Sequence, residues 1–319
     1  MKDSTVKIKE STAVAYQKIL ARLAQEGADF VFLGNEEDAL CNCMEVPDRD
    51  GIRRWQKNSR DFLLSAAGAA LCGKTVFMSE SISPFIAVEG YEQIRTAIAL
   101  PGLRVRIAAA HDSKEQAQSG ALNQMIEDLA LMRVMPNMII LVPSDIICLE
   151  NILELLLKSS LPAYIRLSYL SVEPIYNDED SDFAIGGARL LLEGESVTLC
   201  ACGIMVREAL EAANILKLQG IHAEVIDCYS IKPFPEEILL SSIRRTGCCV
   251  VAEKHSKIGG LYGAVTECVS RLYPVPVRYV AIEDHFGQSG TVEELREYYG
   301  LTHREIVHNA VQVLAMRRR

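Results

Sequence analysis

An α/β fold of two doubly wound units follows from three observations on this chain of 319 residues. Short apolar runs of strand length alternate with helical stretches of roughly 10–14 residues, the pattern of successive βα units. Those runs are predominantly apolar and lack a two-residue period, so they belong to parallel sheets covered on both faces. A polar, acidic stretch containing Pro174, Asn177, Asp178, Glu179, Asp180 and Asp182 interrupts the pattern, which then restarts. The predicted division is a tail over 1–12, a first domain over 13–170, a linker over 171–190 and a smaller second domain over 191–319.

The elements follow in order. Residues 13–26 are helical, with Ala13, Tyr16, Ile19, Leu20 and Leu23 on one face. A strand over 30–34 leads to a helix over 59–72, which Gly73-Lys74 ends, and to a strand over 75–78. The helix 91–100 stops at Pro101-Gly102 and the strand 105–110 follows. A helix over 122–134, a Pro136-Asn137 turn, the strand 138–142, the helix 146–158 and the strand 163–167 complete the first unit. The second reads as strand 197–202, helix 204–219, strand 223–227, helix 235–245 after Pro233, and strand 248–252.

Composition narrows the function classes. Apolar residues at 49% and charged residues at 24% suit a soluble globular protein. A net charge of −9 argues against nucleic acid or an anionic membrane as partner. The polar first ten residues carry no secretion signal, and nothing approaches the ~20 apolar residues of a membrane span. Cys148, Cys200, Cys202, Cys248 and Cys249 lie in apolar runs, where a thiol is a small buried hydrophobe. Cys41 and Cys43 form a pair without a second pair or a histidine, so no metal is expected on this chain. A cytoplasmic location is expected.

Residues 127–145 are the most telling. Glu127-Asp128-Leu129-Ala130-Leu131-Met132-Arg133, then Pro136-Asn137-Met138 and Pro143-Ser144-Asp145, resemble the pyrimidine-binding domain of transketolases and 1-deoxyxylulose-phosphate synthases. Further along, Ile231-Lys232-Pro233, Ala252-Glu253-Lys254-His255 with Gly259-Gly260, and Phe286-Gly287-Gln288-Ser289-Gly290-Thr291 resemble the C-terminal domain of the same group. The Gly-Asp-Gly motif and downstream Asn of the family's diphosphate-binding domain do not occur. The resemblance therefore implies the C-terminal subunit of a split transketolase. It implies thiamine diphosphate shared with a separately encoded diphosphate-binding subunit, an α2β2 assembly, and Mg2+ on the partner.

The resemblance also places a site. In the family a glutamate hydrogen-bonds the cofactor's pyrimidine N1′, assisting proton removal from C2. Aligning on Ala66-Ala67-Gly68 puts Ser59 in that glutamate's position and Asp61 two residues on. Ser59 either contacts the pyrimidine or, in the bland alternative, serves only as a helix cap with an acid in the first turn. Phe85 falls where the family stacks an aromatic on the pyrimidine, Ile82 where a second one often stands, and Glu36 at an acidic position facing the site. His111 survives at a strand end as a group for substrate oxygens. Asn123 replaces a second histidine, Ser119 an acid, and Tyr169 the arginine that grips a sugar phosphate.

These changes define the functional expectation. With its partner the chain is expected to transfer a ketol or acyl unit to a small-molecule carbonyl acceptor, with Ser59 and His111 as catalytic groups and a specialised or weakened activity. The alternative is a non-catalytic structural or regulatory subunit of such an assembly. A third reading, the β-like subunit of a 2-oxoacid dehydrogenase, shares the architecture.

Overall fold

Two sheets of mostly parallel strands organise the chain in a computed structural model that describes residues 10–34, 52–54, 59–80, 86–111, 114–177 and 179–317. The first unit contributes β1 (Val31–Gly34), β2 (Ile52–Arg54), β3 (Val76–Glu80), β4 (Val105–His111), β5 (Ile139–Leu141) and β6 (Ala163–Ser168), all parallel, in the order β5-β6-β4-β3-β1-β2. The second contributes β7 (Arg189–Leu192), β8 (Val197–Ala201), β9 (Ala223–Asp227), β10 (Ser230–Lys232), β11 (Cys249–Ser256) and β12 (Val277–Ile282). Its sheet runs β12-β11-β8-β9-β7, with only β7 antiparallel. Short apolar strands buried on both faces make this possible: every residue of β4, β5, β8 and β9 is buried.

Helices cover both faces. In the first unit these are α1 (Thr12–Gln25), α2 (Ser59–Leu71), α3 (Ile86–Glu89), α4 (Tyr91–Gln93), α5 (Lys114–Gln118), α6 (Asp128–Arg133) and α7 (Ile146–Lys158). α4 runs on into a wider helical turn over Ile94–Ala99. The second unit has α8 (Met205–Leu218), α9 (Glu236–Thr246), α10 (Leu261–Leu272), α11 (Val292–Tyr298) and α12 (His303–Met316). The starts are capped as their side chains dictate. Ser11 Oγ accepts from Val14 N, Asp145 Oδ1 from Cys148 N, and Thr291 closes a reciprocal box with Glu294. Among the described residues no helix is long and apolar enough to cross a membrane.

Three features differ from the sequence reading. The helix expected over 122–134 is a short turn at Ala121–Asn123, an extended stretch, and then α6. The carbonyl of Ile126 accepts from Ser256 N at 2.8 Å, and Gln124 Nε2 donates to Gln288 O at 2.7 Å, so contacts to the second unit take the place of a helical turn. β10 crosses over as well, pairing antiparallel with β5, Ser230 opposite Leu141. The acidic segment 171–190 is also packed down. Tyr176 and Phe183 are buried edge to face, 5.1 Å between centroids, and the backbone N–H groups of Ile175 and Tyr176 donate to Asp145 Oδ2. The five cysteines expected in apolar runs are buried free thiols.

Candidate active site

In a parallel sheet the loops that follow the strands gather at one edge, where ligand crevices form. Here α2 is the next described element after β2 and α3 the next after β3, and His111 is the last residue of β4. Ser59 is the first residue of α2. Its hydroxyl donates to Glu89 Oε2 at 2.8 Å, and Arg60 Nε donates to the backbone carbonyl of Glu89 at 3.1 Å. The start of α2 thus grips the last residue of α3 twice. Asp61 lies in the first turn of α2, partly buried. Glu36, Ile82 and Phe85 lie outside the described residues.

A second cluster sits deeper, at the end of β4. Tyr164 and Arg166 are two apart on β6 and so share a face. Both reach Asp128, the first residue of α6: Tyr164 OH and Arg166 Nε each donate to its Oδ2 at 2.8 Å. Arg166 Nη1 donates to the Lys254 carbonyl of β11, 2.8 Å away, joining the two sheets. His111, only 3% exposed, turns both ring nitrogens inward. Its Nδ1 is 3.3 Å from Arg166 Nη2, and its Nε2 is 3.2 Å from Asp128 Oδ2 without the alignment of a hydrogen bond. Asp128 Oδ1 also has no partner among the described residues.

The charges follow from this enclosure. Burial, then the Arg166 guanidinium, lowers the His111 imidazolium to about 4, so the ring is neutral at pH 7. Burial works against the Asp128 carboxylate, but Arg166 and then His111 outweigh it and hold the group well below the usual carboxylate range. Desolvation, helped by Arg296, brings the Lys254 ammonium down to about 7. A cavity of about 50 Å³ lies between the units, lined by His111, Gln116, Gln124, Arg166, Lys254 and Tyr299 among others.

The residues named from the sequence are thus distributed unevenly. His111 and Tyr169 meet through the backbone, Tyr169 N donating to His111 O at 2.8 Å, while the Tyr169 ring packs on the core beside α1. Asn123 is exposed in its short turn. Ser59, on α2, stands apart from these and meets Glu89 of α3, a residue that sequence reasoning did not single out. Asp128 and Tyr164 were missed as site groups too. Asp128 lay inside the motif that drew attention, but nothing local signalled that Arg166 would pair with it.

Comparison with known proteins decides the family. Residues 61–173 match the transketolase pyrimidine binding domain, and residues 186–306 match the transketolase C-terminal domain. A 6-deoxy-6-sulfo-D-fructose transketolase subunit from a Clostridium species is 39% identical over 248 residues, which cover 78% of this chain and 76% of that one. This chain belongs to the transketolase family. An apulose-4-phosphate transketolase subunit from Phocaeicola vulgatus is 32% identical over 77% of this chain and 78% of its own length. In three dimensions the chain is similar to a split gene transketolase solved as an inactive beta4 tetramer. The TM-score is 0.90 at 38% identity, covering 97% of this chain and all of that one. The first two relatives are transketolase subunits, and the third is a split gene transketolase.

Proposed function

We propose that this chain is the pyrimidine-binding subunit of a split, thiamine-diphosphate-dependent transferase that moves a ketol unit to a small carbonyl acceptor. The partner subunit would hold the diphosphate and Mg2+, in an α2β2 assembly. What supports the reading most is the end-to-end likeness to a split gene transketolase chain, together with the hydrogen bond between Ser59 and Glu89. When bound, thiamine diphosphate supplies the nucleophilic carbon for the transfer.

The residues present fit the pyrimidine end of that cofactor. Ser59 offers a hydroxyl, which can both donate and accept, and a carboxylate stands directly behind it. Phe85 would pack on the ring and Ile82 would line the pocket, with Glu36 and Asp61 nearby. Tyr169 and Asn123, in place of cationic anchors, suit an acceptor other than an ordinary sugar phosphate. His111, neutral and held between Asp128 and Arg166, would act on substrate oxygens only if its ring turned outward. In this structure its ring nitrogens face Arg166 and Asp128.

A non-catalytic subunit is the second reading, favoured by the serine at the position of the family's glutamate. The test is reconstitution with a separately encoded diphosphate-binding subunit. Cofactor titration and ketol transfer should both appear with the pair and not with this chain alone. Micromolar, magnesium-dependent binding of cofactor by the isolated chain would sink the split reading. Cofactor binding by the pair without acceleration of C2 proton exchange would establish the non-catalytic one.

A further inference from the structure

The Ser59–Glu89 pair is an exposed contact that ties two elements together. Its hydrogen bond spans 2.8 Å between elements 30 residues apart, and a second bond from Arg60 Nε fixes the Glu89 carbonyl. The turn is held from behind as well. Ile86 and Ala87 are fully buried against the core, and Gly90 N donates back to Ile86 O at 3.1 Å. A Cβ on Gly90 would come within 2.0 Å of Leu63 Cδ1, so only glycine lets α2 pack this closely on the turn. The backbone of Glu89 is therefore preset, and its carboxylate is aimed at one hydroxyl. That hydroxyl occupies the position where the family carries a carboxyl.

We propose that Glu89 supplies, through Ser59, the carboxyl function missing from position 59, an inference that rests on the pyrimidine-binding reading above. The serine hydroxyl has one proton and two lone pairs. Ser59 Oγ donates to the Glu89 carboxylate, so a proton carried by a ring nitrogen beside the serine would pass to Oγ as the serine's own proton passes to Glu89. The net change would be one proton moved from the heterocycle to Glu89, with the serine restored. The reverse transfer would return the proton to the ring. Glu89 is a positioning and relay residue, since it acts through Ser59 and does not itself meet the ring.

The test uses the reconstituted two-subunit complex with thiamine diphosphate and Mg2+. Deuterium exchange at C2 is followed by NMR, and cofactor affinity by fluorescence titration. Glu89→Gln should keep cofactor affinity within a few-fold and slow exchange on the order of 10²-fold or more, the scale of general acid–base assistance. Glu89→Asp should recover part of that loss. Adding Ser59→Glu to Glu89→Gln should restore exchange, because it returns a carboxyl directly to the ring side. A complex that accelerates exchange over free cofactor, and does so equally in Glu89→Gln, would overturn the relay and leave the split-enzyme reading standing. A wild-type complex no faster than free cofactor would overturn both. Loss of cofactor affinity in Glu89→Gln equal to its loss of exchange, without rescue by the double variant, would mark Glu89 as structural and end the proposal.

Discussion

Arg166 holds Asp128 at 2.8 Å through Nε and, through Nη1, the Lys254 carbonyl at the same distance, so one buried guanidinium links α6 to both sheets. Tyr164 adds a second bond to the same carboxylate. Such a pair stabilises little over an apolar substitute, but breaking it strands a charge where water cannot reach.

Asp128→Asn should therefore destabilise the protein by about 3–5 kcal/mol, the usual cost of leaving one member of a buried ion pair alone. Urea denaturation of the purified chain reads this directly. A change below about 1 kcal/mol would mean that Arg166 finds another partner when the carboxylate is lost.

Acid stability carries two opposed contributions. His111 titrates at about 4 in the folded state against 6.5 when free. Between those values the unfolded chain binds a proton that the folded one does not, so this group makes stability rise with pH. Asp227, pushed up to about 7 by burial and bonded by Ser144 and Tyr176, does the reverse. From its ordinary 3.8 to about 7 the folded state alone keeps the proton, and stability falls as pH rises. Compared with wild type, His111→Gln should lower the slope of stability against pH between about 4 and 6.5, and Asp227→Asn should raise it, each by about 1.4 kcal/mol per pH unit. Parallel stability–pH curves for the variants and wild type would refute both assignments.

Arg106 is fully buried and donates to the carbonyls of Leu156, Ser159 and Leu161, closing the C-terminus of α7. Burial, then the charge of Arg104, lowers its guanidinium to about 10, and it remains charged at neutral pH. Lysine cannot reproduce the planar fork that serves several carbonyls at once. Arg106→Lys should cost at least about 2 kcal/mol, from weakened charge-assisted bonds to buried carbonyls. Thermal and urea unfolding would show it, and a variant as stable as wild type would contradict the prediction.

Assembly can be tested on the isolated chain. Its exposed large apolar side chains include Leu64 on α2, Val88 on α3 and Leu122 in the turn over Ala121–Asn123. Exposed apolar groups on these segments suit a subunit that meets a partner. Light scattering should show self-association without the diphosphate-binding subunit and a mixed complex with it. A stable monomer indifferent to the partner would contradict the assembly.

Much of the fold was legible because it is written in local patterns. Continuous apolar strands, the caps at Ser11 and Asp145, and glycine stops such as Gly73 and Gly247 specify their elements within a few residues of themselves. α7 was read to its ends for that reason. The stretch 122–134 was misread because its helical periodicity is real, while the hydrogen bonds that interrupt it come from Ser256 and Gln288, far along the chain. β10 escaped for a related cause: three residues carry no period, and only pairing with β5 makes them a strand.

The site divides along the same line. By itself the sequence determined the α/β elements, the family motifs and the serine at position 59, all of which depend on residue type and spacing. Only the tertiary structure decided that Glu89 stands against Ser59 and that His111 turns inward between Arg166 and Asp128. These contacts join separate elements at one edge of a sheet. Where a side chain goes there depends on burial and on the charges packed against it, and neither is written in the residues beside it.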